Sequence, residues 1–418
     1  MQGFNPARKG EGAQASGGSC PRVQIGHNAG MDERLPLDGI TVIELGHSVA
    51  APYAGLILGG LGADVVKVEN PGSGDHARDW GPPFWHGTSA MFQTLNRDKR
   101  GAAVDLTDSD ARDELHRLVV ERADVLVQNM RPGVAEKFGL GSDALLAERP
   151  ELVYCSIGAY GATGPLAERP GYDPLMQAFA GIMSVTGEER GGPVRVGTSI
   201  IDMGAGLWAV IGILSALERR HRTGRGGLVD TSLLETGIAW MAYHIANYLS
   251  AGLELGRWGS GTPVMVPYQA FATADGQIIV AAGNDGIFRK LCDALERSEL
   301  AQEARFAHNA QRVENRDDLI PALEQVFAHK TSADWISRLD AAGVPCAPIQ
   351  TVAELLAHPQ SRALGMVQDA PGLDMALVGL PLSFDGSRPP FRRVAPALGE
   401  HRAEIFSDSS DEGGQDVG

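Results

Sequence analysis

Short apolar runs that alternate with helical stretches constrain the fold of this chain most. The first, ITVIELG at residues 40–46, is too short to be a helix and ends in glycine, so it reads as a buried strand. Residues 52–62 read as a helix with a small-residue face. ADVVKVE (63–69), GAAVDL (101–106), ADVLVQN (123–129) and LVYCSIGAYG (152–161) continue the series of strands. Between the third and fourth, ARDELHRLVVERA (111–123) has helical apolar spacing at Leu115, Leu118 and Val119. Strands without polar alternation, separated by helices, predict an α/β fold with a parallel, doubly wound, Rossmann-like sheet.

Beyond residue 200 the pattern changes. Asp202 precedes a long apolar helix that ends in basic residues, with Gly224 as its C-cap signal. Residues 231–251 read as helical. Residues 266–275 and 277–282 read as a hairpin turning at Asp275-Gly276, and 285–356 as mainly helical. This predicts a large domain over 31–230, a helical linker over 231–257 and a small α+β domain over 258–340. The large domain then resumes over 341–406. A disordered leader at 1–30 and a disordered acidic tail at 407–418 are expected to flank them.

Composition narrows the function. Of 418 residues 53 are glycine, but they lack a period of three, and 43% of the chain is hydrophobic, which is enough for a large core. The net charge is −16 with no basic patch, which argues against a nucleic-acid partner. The longest apolar stretch, 206–217, falls well short of the roughly 20 residues of a membrane span, so no membrane partner is expected. Cys20, Cys155, Cys292 and Cys346 form no CxxC pair. That fits a reducing compartment, the cytoplasm or, in a eukaryote, the mitochondrial matrix, without a zinc site. Gly46 is followed by HSVAAPYAG, not by a dinucleotide-binding glycine loop. Glu69 ends the second strand as a ribose-binding acid would, but without that loop the signal is weak. A Walker A lysine motif, HExxH and G-x-S-x-G are also missing from the sequence.

Three stretches carry more. They are residues 37–75, then NRDKRGAAVDL (96–106) with ADVLVQNMRPGVAEKFGLG (123–141), and then GAYGATGPLAERPGYDPLMQAFAG (158–181) leading to RVGTSIIDMGAGLWA. In this order and spacing the chain resembles the class III coenzyme A transferases, the formyl-CoA and carnitine CoA-transferase group, over about residues 35–405. The alpha-methylacyl-CoA racemases share that fold. The resemblance implies an interlocked homodimer with acyl-CoA and carboxylic acid substrates. It implies no tightly bound cofactor and no metal, with the coenzyme A thioester as a substrate.

By resemblance Asp202 is the catalytic nucleophile; read locally, it is an ordinary helix N-cap. Gly204, Ala205 and Gly206 are expected to leave room for a thioester, and the helix N-terminus to offer N–H groups to an oxyanion. Val49 and Ala50 match positions along the pantetheine path. Asn70, Val104, Asp105, Leu106 and Thr107 match positions near the nucleotide, with Asn70 standing where formyl-CoA transferase has arginine. Asn129, Met130 and Lys137 match a further CoA-contacting group. Lys137, Lys99 and Arg100 also read as a solvated face. His47 and His244 are assigned no role.

By the same resemblance Tyr172 and Asp173 are expected in the substrate pocket. In the racemases a histidine base occupies the Tyr172 position, and a tyrosine with pKa about 10 is a poor base at neutral pH. This favours a transferase over a racemase. A non-catalytic CoA-binding relative is disfavoured because Asp202 is present. Residues 244–284 and 69–84 look most like the succinyl-CoA:glutarate branch, implying dicarboxylates, with Arg78, Arg97, Arg131 or Arg257 to hold a distal carboxylate. SGTPVMVPY stands near the place of the polyglycine loop of formyl-CoA transferase, which argues against formyl/oxalate specificity.

Overall fold

The computed structural model describes residues 34–407. The leader expected at 1–30, and the acidic tail after Ser407, lie outside the described residues. Six strands form the main sheet: β1 (Thr41–Leu45), β2 (Asp64–Glu69), β3 (Lys99–Ala103), β4 (Val125–Gln128), β5 (Val153–Gly158) and β6 (Gly227–Ser232). Every pairing is parallel, and the order is β3-β2-β1-β4-β5-β6. The chain runs outward from β1 through β2 to β3, then returns to lay β4 on the other side of β1. Such a reversal opens a crevice above the carboxyl ends of the two central strands.

The central strands send apolar residues to both faces, and these alternate residues feed two separate cores. Val42, Val65, Val125, Val127 and Val153 pack under α1 (Ala50–Gly60). Ile43, Val66, Leu126 and Tyr154 pack under α2 (Ser109–Arg122), whose inward residues are Leu115, Leu118 and Val119. The sixth strand corrects the sequence reading, which placed Thr231 in a helix. As an edge strand it leaves Leu228 45% exposed, so no continuous apolar run marks it.

Four more helices complete the frame of the site: α3 (Asp173–Phe179), α4 (Ile200–Thr223), α5 (Leu233–Trp240) and α6 (Ala242–Ala251). α4 ends at Gly224 in the left-handed conformation, as expected. By length and composition this helix could cross a bilayer, which a count of uninterrupted apolar residues underestimated. Here it is a core helix: Ile201, Ala205, Ala209 and Ile213 are buried in the cluster that includes α1 and β5.

Gly204 and Gly206 do not make room for a substrate. A Cβ on Gly206 would lie 2.7 Å from the Ala50 carbonyl of α1, and one on Gly204 would lie 2.7 Å from Thr236 of α5. Both glycines therefore serve close helix packing. Gly206→Ala must push two backbones apart, and we expect a loss of about 1–3 kcal/mol in urea unfolding. A wild-type midpoint for that variant would show the contact to be slack.

A second sheet has its own core. β7 (Tyr268–Ala272) and β8 (Gln277–Ala281) form the expected antiparallel hairpin, and β9 (Cys346–Pro348), not foreseen, pairs with β8. Phe271, Val280, Phe288, Phe327 and Trp335 pack between this sheet and its helices.

Candidate active site

Two adjoining hollows lie at the carboxyl ends of the main strands, and His47, His76 and Met130 line both. One is bounded by Glu69 at the end of β2, by Asn70 just after it, and by Val104, Asp105, Leu106 and Thr107 after β3. The other is bounded by Val49, Ala50, Asn129, Tyr172 and Asp202. Residues singled out from distant parts of the sequence thus meet in one groove, at the crevice the strand order creates.

Not all of them face it in the expected way. Asn70 turns its side-chain oxygen back to Gly72 N (2.8 Å) and Ser73 N (3.1 Å), so it shapes its own loop. Asp105 similarly accepts from Thr107 N at 2.9 Å and Thr107 Oγ1 at 2.7 Å. Asn129 exchanges two hydrogen bonds with the His47 backbone across the reversal of strand order (3.0 and 2.9 Å). Lys137 is exposed, with Nζ 5.5 Å from the ring of Phe138, which lines the hollow beside the ends of β2 and β3. Lys99, read as part of a solvated face, is instead fully buried and pairs with Glu44 at 2.7 Å. Arg100 bridges Asp64 and Glu404.

Asp202 sits in the first turn of α4, not at its cap. The capping role belongs to Asp173, which is 2% exposed and lies behind the pocket, not in it. Its carboxylate accepts from Ile201 N (2.8 Å), Asp202 N (3.4 Å) and the Gln177 amide (2.6 Å). Ile200 N and Met203 N bond to Thr198 O and Ser199 O. The helix end therefore has no spare N–H group for an oxyanion, contrary to expectation.

Among the described residues the Asp202 carboxylate itself has no hydrogen-bond partner. Burial, and then the charge of Asp173, push its pKa up to about 7. Asp173→Asn removes that second cause while keeping an acceptor for Ile201 N. We expect the acid limb of the pH–rate profile to move to lower pH. An unmoved limb would mean that Asp173 acts through geometry alone.

The arginines divide clearly. Arg78 is held by Glu69 at 2.7 Å, Arg97 is buried against Asp98, and Arg257 bonds to Gly191 O. Arg131 lines the hollow that holds Asp202, together with Arg169, which the sequence reading passed over. Arg169 lies inside the ERPGYDP run, but nothing in that run distinguishes a groove arginine from a loop arginine.

The family model for CoA-transferase family III matches residues 37–402. The chain belongs to this family. The family III transferase is 36% identical over 386 residues to the succinyl-CoA:glutarate CoA-transferase of Homo sapiens, an alignment covering 90% of this chain and 87% of the relative. It is 37% identical to the acetyl-CoA:oxalate CoA-transferase of Acetobacter aceti, covering 88% and 95% of the two chains. A crystal structure of a CAIB/BAIF family protein from Brucella suis superposes with a TM-score of 0.81 at 41% identity, covering 89% of the transferase and 99% of that chain. The transferase is thus an enzyme that moves coenzyme A between acyl-CoA and carboxylic acids.

Proposed function

We propose that the transferase carries coenzyme A from succinyl-CoA to a dicarboxylic acid such as glutarate, with Asp202 as the covalent carrier. A single observation carries this reading. An aspartate carboxylate free of hydrogen-bond partners among the described residues stands in a groove whose far end is lined by the residues expected near a nucleotide.

A carboxylate oxygen of Asp202 attacks the thioester carbonyl. The C–S bond breaks, leaving an aspartyl anhydride and CoA thiolate. The thiolate attacks the aspartyl carbonyl of the anhydride, which releases succinate and leaves an aspartyl-CoA thioester. The acceptor carboxylate then attacks that thioester, and the thiolate returns to the new acyl carbonyl. The product acyl-CoA departs and Asp202 is free again. No proton or phosphate is consumed, because the activated bond is conserved at each step. Arg131 and Arg169 are the cations placed to hold the distal carboxylate of the acid.

Tyr172 is 58% exposed at the groove and replaces the base that a racemase needs. α6 has no buried residue, and Tyr243 and Leu249 on it are 66% and 78% exposed. A face this apolar supports an interlocked homodimer, and the cytoplasm is the compartment we assign. Incubation with succinyl-CoA and a panel of acids tests the reading by chromatography. Glutaryl-CoA formation is the expected result. Preference for oxalate over every dicarboxylate of four or more carbons would overturn the substrate assignment.

A further inference from the structure

The loop between β1 and α1 is pinned at three successive residues by three side chains, one on β2 and two from the segments that follow β2 and β4. Gly46 O accepts from Lys67 Nζ at 2.8 Å, the His47 backbone exchanges two hydrogen bonds with Asn129, and Ser48 N donates to Asp75 Oδ1 at 2.9 Å. Ser48 has φ 66°, a left-handed conformation that costs a non-glycine residue about 1 kcal/mol or more. Something must hold it there, and the bond that its N–H donates to Asp75 does.

Asp75 is itself firmly fixed. It is 2% exposed, its Oδ1 also accepts from Ala77 N at 2.9 Å, and its Oδ2 lies 2.9 Å from Lys67 Nζ. Lys67 in turn pairs with Glu44 at 3.0 Å, and Glu44 with Lys99 at 2.7 Å. Four charges, two of each sign, are thus buried directly beneath the loop. The chain departs from a plain apolar core at this place, where the two hollows meet at His47.

We propose that Asp75, braced by Lys67, is a positioning residue for the acyl-CoA substrate. It fixes Ser48, and with it His47 and Val49, at the neck between the nucleotide and acyl ends of the groove. This rests on the reading that the groove takes an acyl-CoA. Without the pin the loop relaxes out of the left-handed conformation and narrows the path of the pantetheine arm. The chemistry at Asp202, on a different element, is left intact once substrate is bound.

Two variants test this by separate routes. Asp75→Ala removes the acceptor. Ser48→Pro removes the donor and forbids the positive φ while leaving all four buried charged side chains in place. Both are measured in the full-length protein below its unfolding temperature, with coenzyme A binding by calorimetry and kcat at saturating succinyl-CoA. Each should weaken coenzyme A binding about tenfold or more while kcat stays within about threefold. Asp75→Asn, which keeps an acceptor, should restore most of the affinity. Unchanged coenzyme A affinity in folded Ser48→Pro would overturn the proposal, as would a fall in kcat with affinity intact. Wild-type protein that failed to bind coenzyme A at all would overturn the function reading as well.

Discussion

Asp202→Asn is expected to lower kcat by at least about 10⁴-fold, because the amide cannot form the anhydride on which every later step depends. Hydroxylamine added to wild-type enzyme and succinyl-CoA should leave a hydroxamate at Asp202, seen by peptide mass spectrometry, and none in the variant. The same substitution should make the protein more stable. With a folded pKa of about 7, above the ordinary aspartate value of 3.8, the carboxyl group prefers to be protonated when folded. Its contribution to stability is intact at acid pH and is lost as pH rises through about 7. Asparagine does not ionise, so its gain should be near zero at pH 4 and reach about 1–2 kcal/mol at pH 8.5, after discounting for the group's partial exposure. Turnover within tenfold of wild type would sink the covalent mechanism. A stability gain independent of pH would sink the electrostatic account of the site.

Lys67→Met should cost about 3–5 kcal/mol of folding stability. Lys67 is fully buried between Glu44 and Asp75. Burial works against its charge, but Glu44, Asp75 and Glu69 outweigh it and hold its pKa above the usual lysine value. A methionine of similar length fills the space but leaves Asp75 as a buried anion without its cation. Lys99 does not substitute, because it is engaged with Glu44, Pro52 O and Asn96 and burial already pulls its pKa down to about 8. Urea unfolding gives the loss directly. Lys67→Met combined with Asp75→Asn should recover part of it, since the uncompensated charge is then gone. A loss below about 1 kcal/mol for the single variant would mean that water reaches the cluster.

The central strands were legible because a parallel strand buried on both faces is mostly apolar, and β1, β2, β4 and β5 each carry such a run despite Glu44 and Lys67. β6 was not, because an edge strand with Leu228 turned outward carries no such run. Asp202 was visible only through resemblance; its local context said helix cap. The true cap, Asp173, lies 28 residues before Ile201, whose N–H it accepts, and helix signals extend only a few residues. Lys99 was misplaced for a similar reason. Lysine is a surface residue until a partner is brought to it, and Glu44 reaches it only after β1, β2 and β3 have assembled. Gly55 shows the same dependence: a Cβ there would lie 1.9 Å from the Glu44 carboxylate, and nothing in AAPYAGLILGG announces that neighbour.

The reversal of strand order also divides the groove between independent parts of the chain. The end proposed to take the nucleotide is bordered mainly by the segments that follow β2 and β3, and the end proposed to take the acyl group mainly by the segment that follows β5 and by the start of α4, with His47, His76 and Met130 bordering both. Changes in one border need not disturb the other. Such an enzyme can keep one handle for its common carrier while its acid partner is exchanged, so new members can arise by local edits on an unaltered chassis.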